Sequence, residues 1–223
     1  MSRTVFSQIL GGVLIPATIG AIIFVAAGRI DLPIVWAWLA TLLALIVASA
    51  AVLPADLLRE RQRPGSEGRL HDHHRAFVVP LLVLSWVSGG LDLGRLHWSD
   101  TIPTWLRIAG LVGYAAAITV MLWAMRTNRF FSSVIRLQRD RGHQTITGGP
   151  YRFVRHPGYT GMIAALLCAG LALGSWLALV PAFGAVLLFL RRTINEDRML
   201  RRDLAGYADY ASRVRCRLVP GVW

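Results

Sequence analysis

The chain has 223 residues, of which 55% are hydrophobic and only 16% are charged, and its net charge of +12 comes from 24 basic residues that are all arginine. Apolar residues at this density, gathered in runs of about twenty, exclude a soluble domain, because each run is long enough to cross a hydrocarbon core of roughly 30 Å. The arginines sit between the apolar runs. That placement assigns them to anionic lipid headgroups and orientation signals, and argues against nucleic-acid binding. Cys168, in an apolar run, and Cys216, in a basic tail, make neither a disulfide framework nor a metal cluster.

In chain order, the first apolar run covers residues 5–27. It is too long for a signal peptide, and a second span follows at once, so it reads as a retained anchor. A short turn at 28–32 leads into span 2 at 33–53. A polar stretch at 54–75 carries Arg59, Arg61, Arg63, Arg69 and Arg75. Span 3 covers 76–93. The connection after it mixes charges in Asp92, Arg95, His97 and Asp100, and span 4 covers 103–125. The longest polar stretch, 126–156, is followed by an apolar stretch at 159–190 that is too long for one upright span. Gly174-Ser175 breaks it near the middle, which predicts a helical hairpin of spans 5 and 6 returning to the side it left.

The expected fold is therefore all-α, a polytopic integral membrane helical bundle of about six spans, or five if the last hairpin is one bent helix. Residues 1–125 form a four-span N-terminal region and residues 126–223 a second region that holds the chemistry. With six spans, the three Arg-rich segments and the N-terminus fall on one side, which the positive-inside rule puts in the cytoplasm. After Arg192, the apolar residues Leu200, Leu204, Tyr207, Ala211 and Val214 recur at helical spacing. They predict an amphipathic C-terminal helix that lies on the membrane or caps the bundle.

The informative run is 147–161. Gly148-Gly149-Pro150 is a turn that ends on a residue suited to a helix start. Residues 151–155 have room for about one helical turn. His156 precedes Pro157, which disfavours helical geometry at His156, so the helix breaks there and restarts at Pro157. A fresh helix start carries free N–H groups that attract carboxylate or phosphate. An interfacial belt of Tyr, Arg and His is the plainer reading of the same residues.

A second cluster, Arg191-Arg192 with Glu196-Asp197, ends span 6. It is either a surface ion-pair set or, through the hairpin, a group of acids facing the same cavity as His156. Arg136, Gln138 and His143 precede the glycine turn as a lid or wall. His71, Asp72, His73 and His74 look like a metal site, but three ligands within four residues rarely converge on one ion, so no metal is expected.

Gly149-Pro150-Tyr151, followed by Arg155-His156-Pro157, Tyr159 and Gly161, then Glu196-Asp197, Gly206-Tyr207, Tyr210 and Pro220, resembles the isoprenylcysteine carboxyl methyltransferase family. Phospholipid N-methyltransferases share a looser form. The motif-bearing resemblance covers 126–223. It implies S-adenosyl-L-methionine as cofactor, with contacts falling on Gln138, His143, Gln144, Thr145, Ile146, Tyr151, His156, Pro157, Tyr159 and Glu196. Arg192 matches a substrate-side arginine, and Arg192 and Glu196 are the expected catalytic pair. Two departures stand out: Asp197 where the family carries Glu, and Gly158 where the prenylcysteine enzymes tend to carry Ser.

The chemistry is consistent with the resemblance. Helix-start N–H groups suit the cofactor's carboxylate, and Glu196 suits its ammonium or ribose hydroxyls. In-line methyl transfer needs alignment and water exclusion more than a catalytic triad. The acceptor is expected to be a lipophilic carboxylate, amine or thiol that enters between spans, in a bacterial inner membrane with the site facing the cytoplasm. The competing reading is a membrane NADPH-dependent reductase of the sterol-reductase type, which resembles this chain in the Arg-His-Pro-x-Tyr-x-Gly run. A transporter is disfavoured because the spans hold few central charges.

Overall fold

The computed structural model describes residues 3–65 and 74–223, with side chains described from residue 12 onward. Among these residues eight α-helices follow in order: α1 (Arg3–Ala27), α2 (Pro33–Val52), α3 (Ala55–Gln62), α4 (His74–Leu91), α5 (Thr104–Thr127), α6 (Pro157–Leu173), α7 (Trp176–Asp203) and α8 (Tyr207–Arg213). No β-strand occurs among the described residues. Among the described residues, four segments are long and apolar enough to cross a membrane: Pro33–Val52, His74–Leu96, Thr104–Thr127 and Trp176–Asp203. Two shorter apolar helices, Gly12–Ala27 and Pro157–Leu173, join them. The molecule is the expected polytopic helical membrane bundle. His71, Asp72 and His73 lie outside the described residues.

The predicted hairpin at Gly174-Ser175 is present. Gly174 ends α6 at φ +73°, a left-handed conformation that costs glycine nothing. Ser175 caps α7 by accepting from the Ala178 N–H at 3.0 Å. Asp92, 1% exposed, ties this turn to the end of α4. It accepts from Ser175 Oγ and Ser99 Oγ, both at 2.5 Å, and from the Trp98 N–H at 3.0 Å. A buried carboxylate surrounded by donors is tolerated in a bundle where an unpaired one is not.

α5 and α6 pack backbone to backbone. A Cβ on Gly110 would lie 2.5 Å from the Ala172 nitrogen, and one on Gly161 2.5 Å from the Ala117 oxygen. Small residues at these positions let the helices approach closely, as is common where lipid removes the hydrophobic drive between helices.

Two elements differ from expectation. Residues 54–75 read as a polar stretch, yet Pro54 starts the short helix α3, with Asp56 in its first turn. Leu57 is fully buried and packs with Leu53 and Met125. The single amphipathic helix expected after Arg192 is instead split. α7 continues unbroken to Asp203, since nothing between Leu190 and Asp203 stops a helix, and Gly206 (φ +76°) turns the chain into α8. α8 takes the capping role: Tyr207, Tyr210 and Ala211 pack on Tyr151 and Ala124.

Candidate active site

The end of the bundle opposite Asp92 gathers α3, the 128–156 loop, the start of α6, the polar end of α7 and the C-terminal tail. α3, the start of α4, the 128–156 loop, the start of α6, the polar end of α7 and α8 line a cavity of about 230 Å³. Arg136 fastens its wall. Its guanidinium is fully buried and pairs with Glu60 of α3 (2.9 and 3.0 Å) and with Asp140 (2.9 and 3.2 Å). Those contacts, the bond to Glu60 first, raise the Arg136 pKa above its ordinary value. The wall expected from Arg136 is thus built on a partner 76 residues away in sequence.

His156 has φ −127° and ψ 58°, outside the helical region, as its position before Pro157 requires. The preceding turn is a tight one at Gly149–Arg152 rather than 151–155. The expected cradle of free N–H groups is largely committed. The Arg155 and His156 N–H groups donate to the tail carbonyls of Cys216 (3.0 Å) and Arg217 (2.9 Å). The Tyr159 and Thr160 N–H groups return to the His156 carbonyl. Thr160 Oγ1 also holds the Leu218 carbonyl at 2.7 Å, so the tail is clamped across the start of α6.

Two acids adjacent on α7 face different ways, because neighbouring helical positions lie about 100° apart. Asp197 is fully buried and turns inward. It accepts from Arg155 Nε (2.8 Å) and Nη2 (3.1 Å), Tyr207 Oη (3.0 Å) and Arg217 Nε (3.1 Å), with His156 Nε2 at 3.2 Å. Burial and then the Asp197 charge push the Tyr207 hydroxyl well above its ordinary range, so it remains a donor. Glu196 turns to the cavity. Tyr159 Oη donates to Glu196 Oε2 at 2.6 Å and accepts from Arg192 Nε at 2.7 Å. Arg192 also reaches the Ser133 carbonyl at 3.2 Å. The result is a chain of Arg192, Tyr159 and Glu196 along one wall.

Of the residues expected to hold a cofactor, His143, Gln144, Thr145, Ile146, Tyr151, His156, Tyr159 and Glu196 line this one cavity, and so does Arg192. Gln138 and Pro157 do not line it. Gln138 is fully buried and clips the loop from behind: its side chain donates to the Phe130 carbonyl and accepts from Arg141, both at 2.5 Å. Pro157 is the first residue of α6. The 143–146 segment is anchored by Thr145 Oγ1 on the Ala205 carbonyl at 2.9 Å.

Sequence reasoning gave no site role to Asn128, Phe130, Phe131, Arg61 or Tyr207, all of which line the cavity. Only Tyr207 carried a signal, through its motif. His74 also lines the cavity, edge-on to Phe189 at 4.6 Å between ring centroids.

The sequence model of the isoprenylcysteine carboxyl methyltransferase (ICMT) family matches residues 109–202, which run from α5 through His156, Tyr159, Arg192, Glu196 and Asp197. A nickel-cobalt-cadmium resistance protein of Alcaligenes xylosoxydans xylosoxydans is 27% identical over 168 residues, covering 74% of this chain and 68% of that protein. A probable protein-S-isoprenylcysteine O-methyltransferase of Oryza sativa subsp. japonica is 35% identical over 100 residues, 44% of this chain and 52% of that protein. Protein-S-isoprenylcysteine O-methyltransferase B of Arabidopsis thaliana is 26% identical over 152 residues, 63% of this chain and 71% of that protein. The match thus spans about half the length of the rice protein and about two thirds of the other two.

Proposed function

From the match of residues 109–202 to the sequence model of the isoprenylcysteine carboxyl methyltransferase family, we propose that this integral membrane protein transfers a methyl group from S-adenosyl-L-methionine to a lipophilic acceptor. The observation that carries the reading is the Arg192–Tyr159–Glu196 chain on the cavity wall. It places a carboxylate and a guanidinium side by side, one suited to a cationic cofactor and the other to an acceptor.

The donor set fits that cofactor. Glu196 offers a charged acceptor for an ammonium or a ribose diol. His143, Gln144, Thr145, Ile146, Tyr151, His156 and Tyr159 supply polar atoms and apolar surface for the rest. Gln138 and Pro157 support that set from behind. When bound, the cofactor would supply a methyl group on a cationic sulfur, which an acceptor's electron pair would take as the carbon–sulfur pair leaves on sulfur. The protein's part is alignment and exclusion of water. Phe130 and the tyrosines of α8 close the site on its polar side, and Arg192 orients the acceptor. We place the site on the cytoplasmic face of a bacterial inner membrane, since the arginine-rich segments gather at this end.

A bound dinucleotide phosphate would want arginines without acids beside them. Here Arg155 is matched by Asp197, Arg136 by Glu60 and Asp140, and Glu196 lies in the wall beside the further cavity arginines Arg61, Arg75 and Arg192. The deciding test is thermal unfolding of the purified protein in detergent, because a ligand that binds the native state raises its stability. S-adenosylmethionine or S-adenosylhomocysteine raises the unfolding temperature, NADPH does not, and His156→Ala removes the shift. Stabilisation by NADPH alone would replace this reading with the reductase.

A further inference from the structure

Phe130 and Phe131 are adjacent in sequence, line the same cavity and pack on different partners. Phe130 is buried and stacks on His143 with ring centroids 4.6 Å apart. Phe131 faces α3 and the start of α6. The Arg61 guanidinium sits 5.4 Å from its ring centroid, and the rest of the ring packs with Leu53, Leu57 and Met125. The tip of the ring reaches Gly158. A Cβ there would lie 2.2 Å from Phe131 Cε2 and 2.5 Å from Cζ, so the ring occupies the volume that any side chain at 158 would need.

Gly158 precedes Tyr159, the middle member of the Arg192–Tyr159–Glu196 chain. Phe131 is therefore a bulky wall beside that chain, in the cavity that Arg61, Val78, Met162 and Arg192 also line. In an in-line displacement the acceptor atom, the carbon and the leaving sulfur are nearly collinear. A bulky wall beside the acceptor atom then discriminates by what is attached to that atom, rather than by the length of the lipid tail behind it.

We propose that Phe131, seated in the space left by Gly158, is a specificity-determining residue for the acceptor, and that it admits acceptors slim around the methylated group and rejects those with branched or ring-bearing substituents there. The proposal rests on the methyltransferase reading above. A methylene-sized misfit in an apolar pocket changes selection by about 10–200-fold, so removing the ring has a measurable effect.

The test uses the purified full chain in detergent, S-adenosylmethionine labelled in its methyl group, and a total lipid extract of the source membranes, with labelled products separated by chromatography. Phe131→Ala raises branched or ring-bearing products relative to unbranched ones by about tenfold or more. Thermal stabilisation by S-adenosylhomocysteine stays at the wild-type value. Because the ring also packs with Leu57, Phe131→Leu retains more of that packing and shifts the ratio the same way if the alanine variant does not fold. An unchanged product ratio in the folded variants, with the S-adenosylhomocysteine shift intact, overturns the proposal and leaves the methyltransferase reading standing. A wild type that neither labels lipid nor responds to S-adenosylhomocysteine overturns that reading, and the proposal with it.

Discussion

The Arg155 guanidinium holds Asp197 with two prongs, Nε at 2.8 Å and Nη2 at 3.1 Å, and both side chains are buried. Arg155 spends another nitrogen on the tail carbonyls of Val214 (2.8 Å) and Arg215 (2.6 Å). One ion pair thus joins the polar end of α7, the start of α6 and the tail. Asp197 also meets His156 and Tyr207, so it sets the position of the histidine without lining the cavity.

Neutralising that carboxylate strands the Arg155 charge. Asp197→Asn should cost about 3–5 kcal/mol, the penalty for breaking a buried pair from one side. Asp197→Glu keeps the charge but adds a methylene to a filled site, and should fall between wild type and Asn. Thermal and denaturant unfolding in detergent measure both, and an Asn variant as stable as wild type would remove Asp197 from its central place.

Glu196 is the acid that faces the cavity. Glu196→Gln retains the shape and one acceptor oxygen but loses the charge, so S-adenosylmethionine binding should weaken by about 1–3 kcal/mol. Tyr159→Phe, which removes the hydroxyl between Arg192 and Glu196, should weaken it in the same direction. Titration calorimetry on folded variants decides. Wild-type affinity in Glu196→Gln would return the residue to a surface ion-pair role.

The sequence makes some of this site legible and hides the rest for physical reasons. Hydropathy exposes the spans, Gly174-Ser175 marks the hairpin, and a histidine before a proline cannot continue a helix; each signal is local. The inward turn of Asp197 and the outward turn of Glu196 are not readable, because adjacency fixes their separation around the helix but not which one meets Arg155. The bond from Arg136 to Glu60 and the tail carbonyls over Arg155 and His156 are contacts between distant segments, with no local mark. The helix start was expected to keep its N–H groups for a ligand, but the tail and the His156 carbonyl take them first.

The proposed membrane orientation rests on where the described arginines gather. Asp100, whose side chain is 68% exposed, lies at the end opposite the cavity, and Ser212 lies in α8 beside it. With Cys168 and Cys216 replaced, a membrane-impermeant maleimide should label Asp100→Cys on intact cells and reach Ser212→Cys only after permeabilisation. The opposite pattern would turn the protein over in the membrane.

Acidification acts on the loop that carries His143. Its pKa is depressed from 6.5 to about 4, first by burial and then by the Arg136 and Arg141 charges. The fold therefore uses the neutral ring, and Nδ1 is free to accept the Gln138 N–H at 3.3 Å. The unfolded chain takes up a proton near pH 6.5, whereas the folded chain resists until about pH 4. Between those values the unfolded state binds more protons, so the His143 contribution is complete above about pH 6.5, declines as pH falls through the window and changes no further below it. Carboxylates titrate in the lower part of the same range, so the comparison is with His143→Gln, which keeps a polar side chain but has no such titration. The stability difference between wild type and variant, followed by thermal unfolding from pH 7 to pH 4, should move against the wild type as the pH falls. A difference that stays flat across that range would mean His143 titrates as it does in the unfolded chain, and that its loop is not packed against Phe130 as described.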